Sequence, residues 1–319
     1  MSRSILITGG SGAFGYAFVK HLLTRTTWPR ICVFSRGEYK QFLMSQELSP
    51  LDNNDRLRFF IGDVRDKDRL RRAFDGVDAV IHAAALKRIE TAFYNPIELI
   101  KTNVYGAINV IEAAQDTAVK RVVAISSDKA YQPVSPYGTS KLLAESAFLA
   151  ANNTTGWSGA RFAVCRYGNV WKSTGSVVPI WQSFIDRGKR EVPVTNPDCT
   201  RFFMLMQEAV DLVLNTLNTM HGGEIAIPKL PAYRLGDLAD ALKVDMRITG
   251  LPKWEKLHES MEEGNSSDKA RRMTVNELRE HLYGTPLERT DYTQDQGNPH
   301  QEQHAVDEIV GIGRTKQSA

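Results

Sequence analysis

Cysteine is scarce. The chain has three in 319 residues, Cys32, Cys165 and Cys199. Their spacing forms neither a disulfide framework nor a metal knuckle. Cys32 and Cys165 sit in apolar, strand-like runs and read as small core residues. A charge excess is also absent: 40 Lys and Arg against 37 Asp and Glu leave a formal +3. That balance gives no argument for nucleic acid or an anionic membrane as partner. No apolar run reaches the roughly 20 residues of a bilayer-spanning helix. The chain enters a strand-like segment at once, S-I-L-I-T, with no secretory leader before it. These absences predict a reduced, cytoplasmic protein. Its length suits one large or two modest domains.

What is present is an alternation of strand-like and helix-like segments. Ser4–Thr8 is the first strand, followed by T-G-G-S-G-A-F-G and a helical pattern to about Leu23. Strand, glycine turn and helix together make a dinucleotide fingerprint. Thr8, Gly9, Gly12, Ala13, Phe14 and Gly15 are therefore candidates to hold a pyrophosphate at a helix N-terminus. Ile31–Ser35 reads as the second strand. NAD enzymes place a ribose-binding acid near its end, but here stand Ser35, Arg36 and Lys40. An arginine there suits a 2′-phosphate, which predicts NADP rather than NAD. Leu57–Ile61 is the third strand. After it, Asp63, beside Val64, either hydrogen-bonds an adenine or caps the helix near Asp68–Phe74. Ala79–His82 is the fourth strand. Ala83, Ala84 and Ala85 let its end lie flat against a dinucleotide, and His82 reads as a packed strand-end residue. The pattern predicts an α/β, Rossmann-type, doubly wound parallel sheet.

Lys87 either reaches the site or belongs to a solvated loop pair with Arg88. Pro96 opens a helix whose stripe of Ile97, Ile100, Val104, Ile108 and Ile111 is expected in the core. Thr102 and Asn103 interrupt that stripe with polar groups, and Asn103 is a candidate on the cofactor side. Arg121–Ile125 leads to S-S-D-K-A-Y-Q-P-V-S-P-Y-G-T-S-K, residues Ser126–Lys141. Tyr137 and Lys141 stand four apart, on one face of a helix. A lysine beside a phenol favours phenolate, so Lys141 is expected to support Tyr137 as a base. Ser127, Asp128 and Lys129 lie where the preceding strand ends, over the crevice where open parallel sheets bind ligands.

Residues 1–168 are expected to form the dinucleotide-binding domain. Near Asn169 the alternation loosens, and 169–283 read mainly as a substrate-binding part, with some segments returning to the first domain. Asn169, Val177, Arg201 and Glu255 are its candidate ligands. Arg201 is isolated in an apolar run and needs an anion, either a substrate diphosphate or an internal carboxylate. Residues 284–319 turn polar and read as a mobile tail.

The glycine motif and Tyr137-x-x-x-Lys141 together resemble an extended short-chain dehydrogenase/reductase. A-A-L-K-R-I-E (84–90), N-P-I-E-L-I-K-T-N-V (95–104), S-S-D-K-A (126–130) and E-K-L-H-E (255–259) narrow the resemblance. They are similar to UDP-N-acetylglucosamine 4,6-dehydratases, in particular the inverting, pseudaminic acid pathway type. The resemblance implies retained NADP, a UDP-sugar substrate and a homo-oligomer. It implies catalytic roles for Asp128, Lys129 and Tyr137 and a cofactor role for Lys141. Retaining relatives usually have methionine at the position of Tyr137, and many carry a membrane span. Tyr137 therefore implies inversion at carbon 5. In the implied chemistry Tyr137 and Ser127 handle the carbon 4 hydroxyl, Lys129 takes the carbon 5 proton, and Asp128 protonates the leaving hydroxyl. That role requires a neutral Lys129, its pKa lowered by burial and nearby positive charge. Asp128 and Lys129 titrate together, so their labels can swap. A 4-epimerase and a non-catalytic NADP-binding regulator are the rival readings.

Overall fold

A computed structural model describes residues 3–156 and 159–284. The expected tail lies outside the described residues. Strand β1 (Ser4–Thr8) leads into α1 (Ala13–Arg25), β2 (Arg30–Ser35) into α2 (Glu38–Leu48), and β3 (Leu57–Ile61) into α3 (Lys67–Phe74). After β4 (Ala79–His82) come α4 (Ile89–Tyr94), α5 (Pro96–Ile100), a π-helical turn (Lys101–Tyr105) and α6 (Gly106–Gln115). Then β5 (Arg121–Ile125) feeds α7 (Pro136–Thr154), and β6 (Arg161–Cys165) follows. The remaining elements are α8 (Val177–Asp186), β7 (Glu191–Val194), β8 (Thr200–Phe202), α9 (Met206–Thr219), β9 (Ile225–Ala226), β10 (Ala232–Arg234), α10 (Leu235–Leu242), β11 (Asp245–Ile248), β12 (Ser260–Glu262), β13 (Asn265–Ser266) and α11 (Val275–Tyr283).

Among the described residues, seven strands form one parallel sheet in the order β3-β2-β1-β4-β5-β6-β9. Helices cover both faces, so the inner strands are near-continuous apolar runs, and Ile5, Leu6 and Ile7 are fully buried. Strand order reverses at β1, which pairs with both β2 and β4. Ligands bind at such a switch, outside the carboxyl ends of the strands. Thr8, Ser35, His82 and Ile125 all end strands there.

One face packs Leu70 and Phe74 of α3, Val110 of α6 and Phe148 of α7 into a common core. The other packs α1 through Phe18, Val19 and Leu22, and α9 through Val210, Val213 and Leu217. So α9 and β9 return to the sheet although they follow β8 in the chain. A third core, with Trp171, Trp181, Phe184, Phe203, Tyr233 and Leu238, joins α8, β10 and α10.

The expected isoleucine stripe is corrected. Ile97 is 61% and Ile100 41% exposed. The buried positions are Leu99, Thr102, Asn103, Ala107, Val110 and Ile111. The π-turn widens the helix by one residue per turn and shifts which residues face the sheet. A stripe read at 3.6 residues per turn therefore runs out of phase.

Candidate active site

The glycine turn is built for close approach. Gly9 has φ +67°, and a Cβ there would lie 2.8 Å from the Ala84 nitrogen and 2.9 Å from the Ala83 carbonyl carbon. The β1 turn and the small residues after β4 thus press together. Helix α1 opens on Gly12 with no side-chain cap, so its first N–H groups have no side-chain acceptor. This uncapped terminus over a tight backbone turn fits a dinucleotide pyrophosphate. Thr8 Oγ1 bonds His82 Nδ1 at 2.8 Å. His82 is buried, and that burial, with Lys141 nearby, drops its pKa to about 3. It is a neutral packing residue, as expected.

At the end of β2, Ser35 Oγ accepts from Ser11 Oγ (2.8 Å) and Gln41 Nε2 (2.9 Å). Ser11 and Gln41 were missed by sequence reading. Arg36 and Lys40 are exposed, and Arg36 lies 3.8 Å from Asp63. Asp63 accepts a fork from Arg65 Nε (2.9 Å) and Nη2 (2.7 Å). Burial raises the Asp63 pKa, but the Arg65 hydrogen bonds outweigh it and hold the group below the usual carboxylate range. Asp63 does not cap α3, contrary to one expectation. Asp66 does, accepting from the Arg69 nitrogen at 2.9 Å. Val64 is buried against Gly106. Asn103 bonds both backbone groups of Leu86 (2.8 and 2.9 Å) and Ser140 Oγ (3.0 Å). It clamps the loop after β4 onto α7.

The segment after β5 gathers the reactive side chains. Ser127 caps a one-turn helix, Asp128–Ala130, and its Oγ donates to Asp128 Oδ1 at 2.8 Å. Ser135 caps α7 by accepting from the Gly138 nitrogen, and Pro136 begins the helix. Ser135-Pro136 thus makes a sound helix start. Gly138 is required there: a Cβ would fall 2.3 Å from the Lys129 carbonyl oxygen. That contact brings Tyr137 near Ser127, which helps to lower the pKa of its phenol.

Two expectations about lysines are corrected. Burial raises the Tyr137 pKa, and the charge that pulls it down is Lys129, not Lys141. Lys141 Nζ donates to the Ile125 carbonyl at 2.5 Å. Its burial lowers its pKa to about 8, with Glu145 pulling the other way. Lys129 was expected to have a lowered pKa. Burial does push it down, but Asp128 at 3.2 Å and Glu259 at 3.1 Å outweigh that and raise it. Lys129 is an ammonium. Asp128 is fully buried, which raises its pKa, and its Oδ2 has no hydrogen-bond partner.

Of the proposed substrate ligands, Asn169 Oδ1 lies 3.5 Å from Lys129 Nζ. Lys87 Nζ donates to the Thr174 carbonyl at 2.7 Å, tying the β4 loop to the segment before α8. Val177 starts α8, half-buried. Arg201 and Glu255 are paired with each other, so the anion that Arg201 needs is an internal carboxylate. Sequence reading missed Glu259 as part of the site, although E-K-L-H-E contains it. No group of metal-ligating side chains exists among the described residues. No helix among them is long and apolar enough to cross a membrane.

A family model described as a polysaccharide biosynthesis protein matches residues 5–278. A UDP-N-acetylglucosamine 4,6-dehydratase (inverting) from Campylobacter jejuni is 48% identical over 261 residues, 81% of this chain and 77% of the relative. A UDP-glucose 4-epimerase from Rickettsia massiliae is 38% identical over 279 residues, 85% of this chain and 80% of that one. The crystal structure of Pen from Bacillus thuringiensis superposes with a TM-score of 0.82 at 32% identity, covering 89% of this chain and 99% of that one.

Proposed function

The chain belongs to the polysaccharide biosynthesis protein family, and on that premise we propose that it dehydrates a nucleotide-sugar, UDP-N-acetylglucosamine, at carbons 4 and 6 with inversion at carbon 5. The observation that carries the reading is the cluster Ser127–Asp128–Lys129 at the end of β5, with the Tyr137 phenol near enough for Ser127 and Lys129 to lower its pKa. A phenol and hydroxyl that handle one sugar oxygen share a pocket with an acid and an amine that an epimerase does not need. The similarity to the C. jejuni dehydratase supports the substrate, and Tyr137 supports inversion.

A bound nicotinamide dinucleotide would supply hydride acceptance at carbon 4 and hydride return at carbon 6. The residues of the α1 turn would hold its pyrophosphate, and Arg36 would meet a 2′-phosphate, which supports NADP as the cofactor. Tyr137 and Ser127 hold the carbon 4 oxygen, and Lys129's positive charge eases loss of the phenolic proton. Asp128 carries a proton for the departing carbon 6 hydroxyl. Lys129 becomes a base for the carbon 5 proton once its own proton has passed to the Glu259 carboxylate, 3.1 Å away. Asn169 and Val177 line the sugar-nucleotide side. The reading places a homo-oligomer in the cytoplasm.

The test is incubation with UDP-N-acetylglucosamine in deuterated water, followed by mass spectrometry and proton NMR. Loss of one water, deuterium at carbon 5 and an inverted centre are expected. An unchanged mass with carbon 4 epimerised would establish the rival reading, which the Rickettsia relative supports. Dinucleotide binding without turnover of any UDP-hexose would leave the regulatory reading.

A further inference from the structure

Segment 255–259 enters the proposed reaction only as an acceptor for the Lys129 proton. Its last residue, Glu259, stands just before β12 and is 2% exposed. Its backbone is held on both sides by Ser267: the Glu259 nitrogen donates to Ser267 Oγ at 2.9 Å, and the Ser267 nitrogen donates to the Glu259 carbonyl at 2.7 Å. The carboxylate is therefore fixed in place. Oε1 lies 3.1 Å from Lys129 Nζ, and Oε2 lies 3.6 Å from Lys256 Nζ. Lys256 is itself anchored, donating to the Tyr131 carbonyl at 2.6 Å.

We propose that Glu259 is a positioning residue of the dehydration: it takes the charge of Lys129 and thereby leaves Asp128 holding the proton that the departing hydroxyl needs. The proposal rests on the dehydratase reading above. Two buried carboxylates share one ammonium here, and their surroundings are unequal. Glu259 faces Lys129 and Lys256, with Arg201 of β8 close enough to act on it. Asp128 has Lys129 alone, at 3.2 Å, and a hydrogen bond from Ser127. Its second oxygen and Glu259 Oε2 are both buried without a hydrogen-bond partner, but Glu259 Oε2 has the Lys256 ammonium 3.6 Å away to offset its charge. A carboxylate oxygen left with neither is costly, whereas a protonated one is a donor ready for a ligand. Like charges this close do not both ionise freely, so the poorer anion keeps the proton.

The other groups facing the cluster are Tyr137 of α7, Tyr233 of β10 and Asn169 after β6. Neither tyrosine brings a charge near neutral pH, since burial raises both phenols. The titration directions agree. Burial raises Asp128, Lys129 pulls it down, and the charge of Glu259 pushes it up again. Burial raises Glu259, but Lys129, Arg201 and Lys256 together bring it below its usual range.

The test is infrared titration of the full-length protein, with the protonated Asp128 band assigned by its loss in Asp128→Asn. The wild type should show that band at neutral pH. In Glu259→Gln the band should vanish at a pH about one unit lower or more. The alkaline limb of the pH profile for water loss should move down with it, and Glu259→Asp should restore much of the shift. An ionised Asp128 in the neutral wild type overturns the proposal. So does a Glu259→Gln titration that matches the wild type. If Glu259→Gln does not fold, the wild-type band and Glu259→Asp decide. A wild type that releases no water from a UDP-hexosamine overturns the dehydratase reading instead, and the infrared result still stands on its own.

Discussion

Lys129 Nζ lies 3.1 Å from Glu259 Oε1, so the turn after β5 is bolted to the segment before β12. The contact joins the sheet that carries the dinucleotide turn to the part of the chain that follows it. It also fixes the protonation of the amine. Replacing Lys129 by Ala should lower the rate of water loss roughly a hundredfold or more. Dinucleotide affinity should stay near that of the wild type, because the glycine turn is built elsewhere. Single-turnover mass spectrometry with a parallel binding titration checks both. Full water loss in the variant would end the lysine's role.

Arg36→Ala should weaken NADP binding by roughly 10–100-fold, the worth of one charge-assisted phosphate contact. NAD binding should change little. Fluorescence titration of the two dinucleotides separates the effects. Equal losses for both would show that Arg36 does not read the 2′-phosphate.

Lys141 should make stability depend on pH. Its folded pKa, about 8, lies below the ordinary lysine value of 10.5. Between those values the unfolded chain holds a proton that the fold does not, so stability rises with pH across that window. Below it the fold carries a penalty of roughly 3 kcal/mol. Urea unfolding of wild type and Lys141→Met should show the wild type gaining on the variant from about pH 8 to about pH 10. Lys129, shifted the other way, contributes stability that is lost only as pH rises beyond that window. A flat difference would mean Lys141 is not held against its own charge.

Tyr94, Ile97, Ile100, Tyr105, Leu142 and Leu143 are exposed on α4, α5, the π-turn and α7, which pack on one another. An apolar surface of this kind suits a second copy of the chain. Leu143→Glu should shift the protein toward monomer in sedimentation velocity while its circular dichroism stays unchanged. A wild type that sediments as a monomer at high concentration would remove this expectation.

Buried charge pairs should show a different signature. Glu145 and Arg166 form a bidentate pair, 3% and 8% exposed, under the site. Glu145→Gln should cost about 3–5 kcal/mol, because it strands a buried guanidinium. Denaturant unfolding measures it, and a loss under about 1 kcal/mol would contradict the pairing.

Several features were legible because their physics is local. A strand, a glycine turn and a helix occupy one short stretch, so residues 4–23 announced a dinucleotide turn. Tyr137 and Lys141 share a helix face by spacing alone. Asp128 and Lys129 are neighbours in the chain, so their pairing needed no fold. Arg201 was readable as a residue that requires an anion, but its anion was not readable. Glu255 comes to it from a different element. The direction of Lys141 was misread for a related reason: a helix face says which residues align, not what lies opposite them. Here the Ile125 carbonyl lies opposite.

The amino-acid order by itself determined the sheet, the glycine turn between β1 and α1, and the cast of reactive groups after β5. Each of these follows from periodicity, backbone sterics or adjacency. Tertiary structure decided which of those groups carries a charge. Protonation depends on burial and on partners within a few ångströms, and for Lys129 the second partner arrives from a segment that only folding brings near.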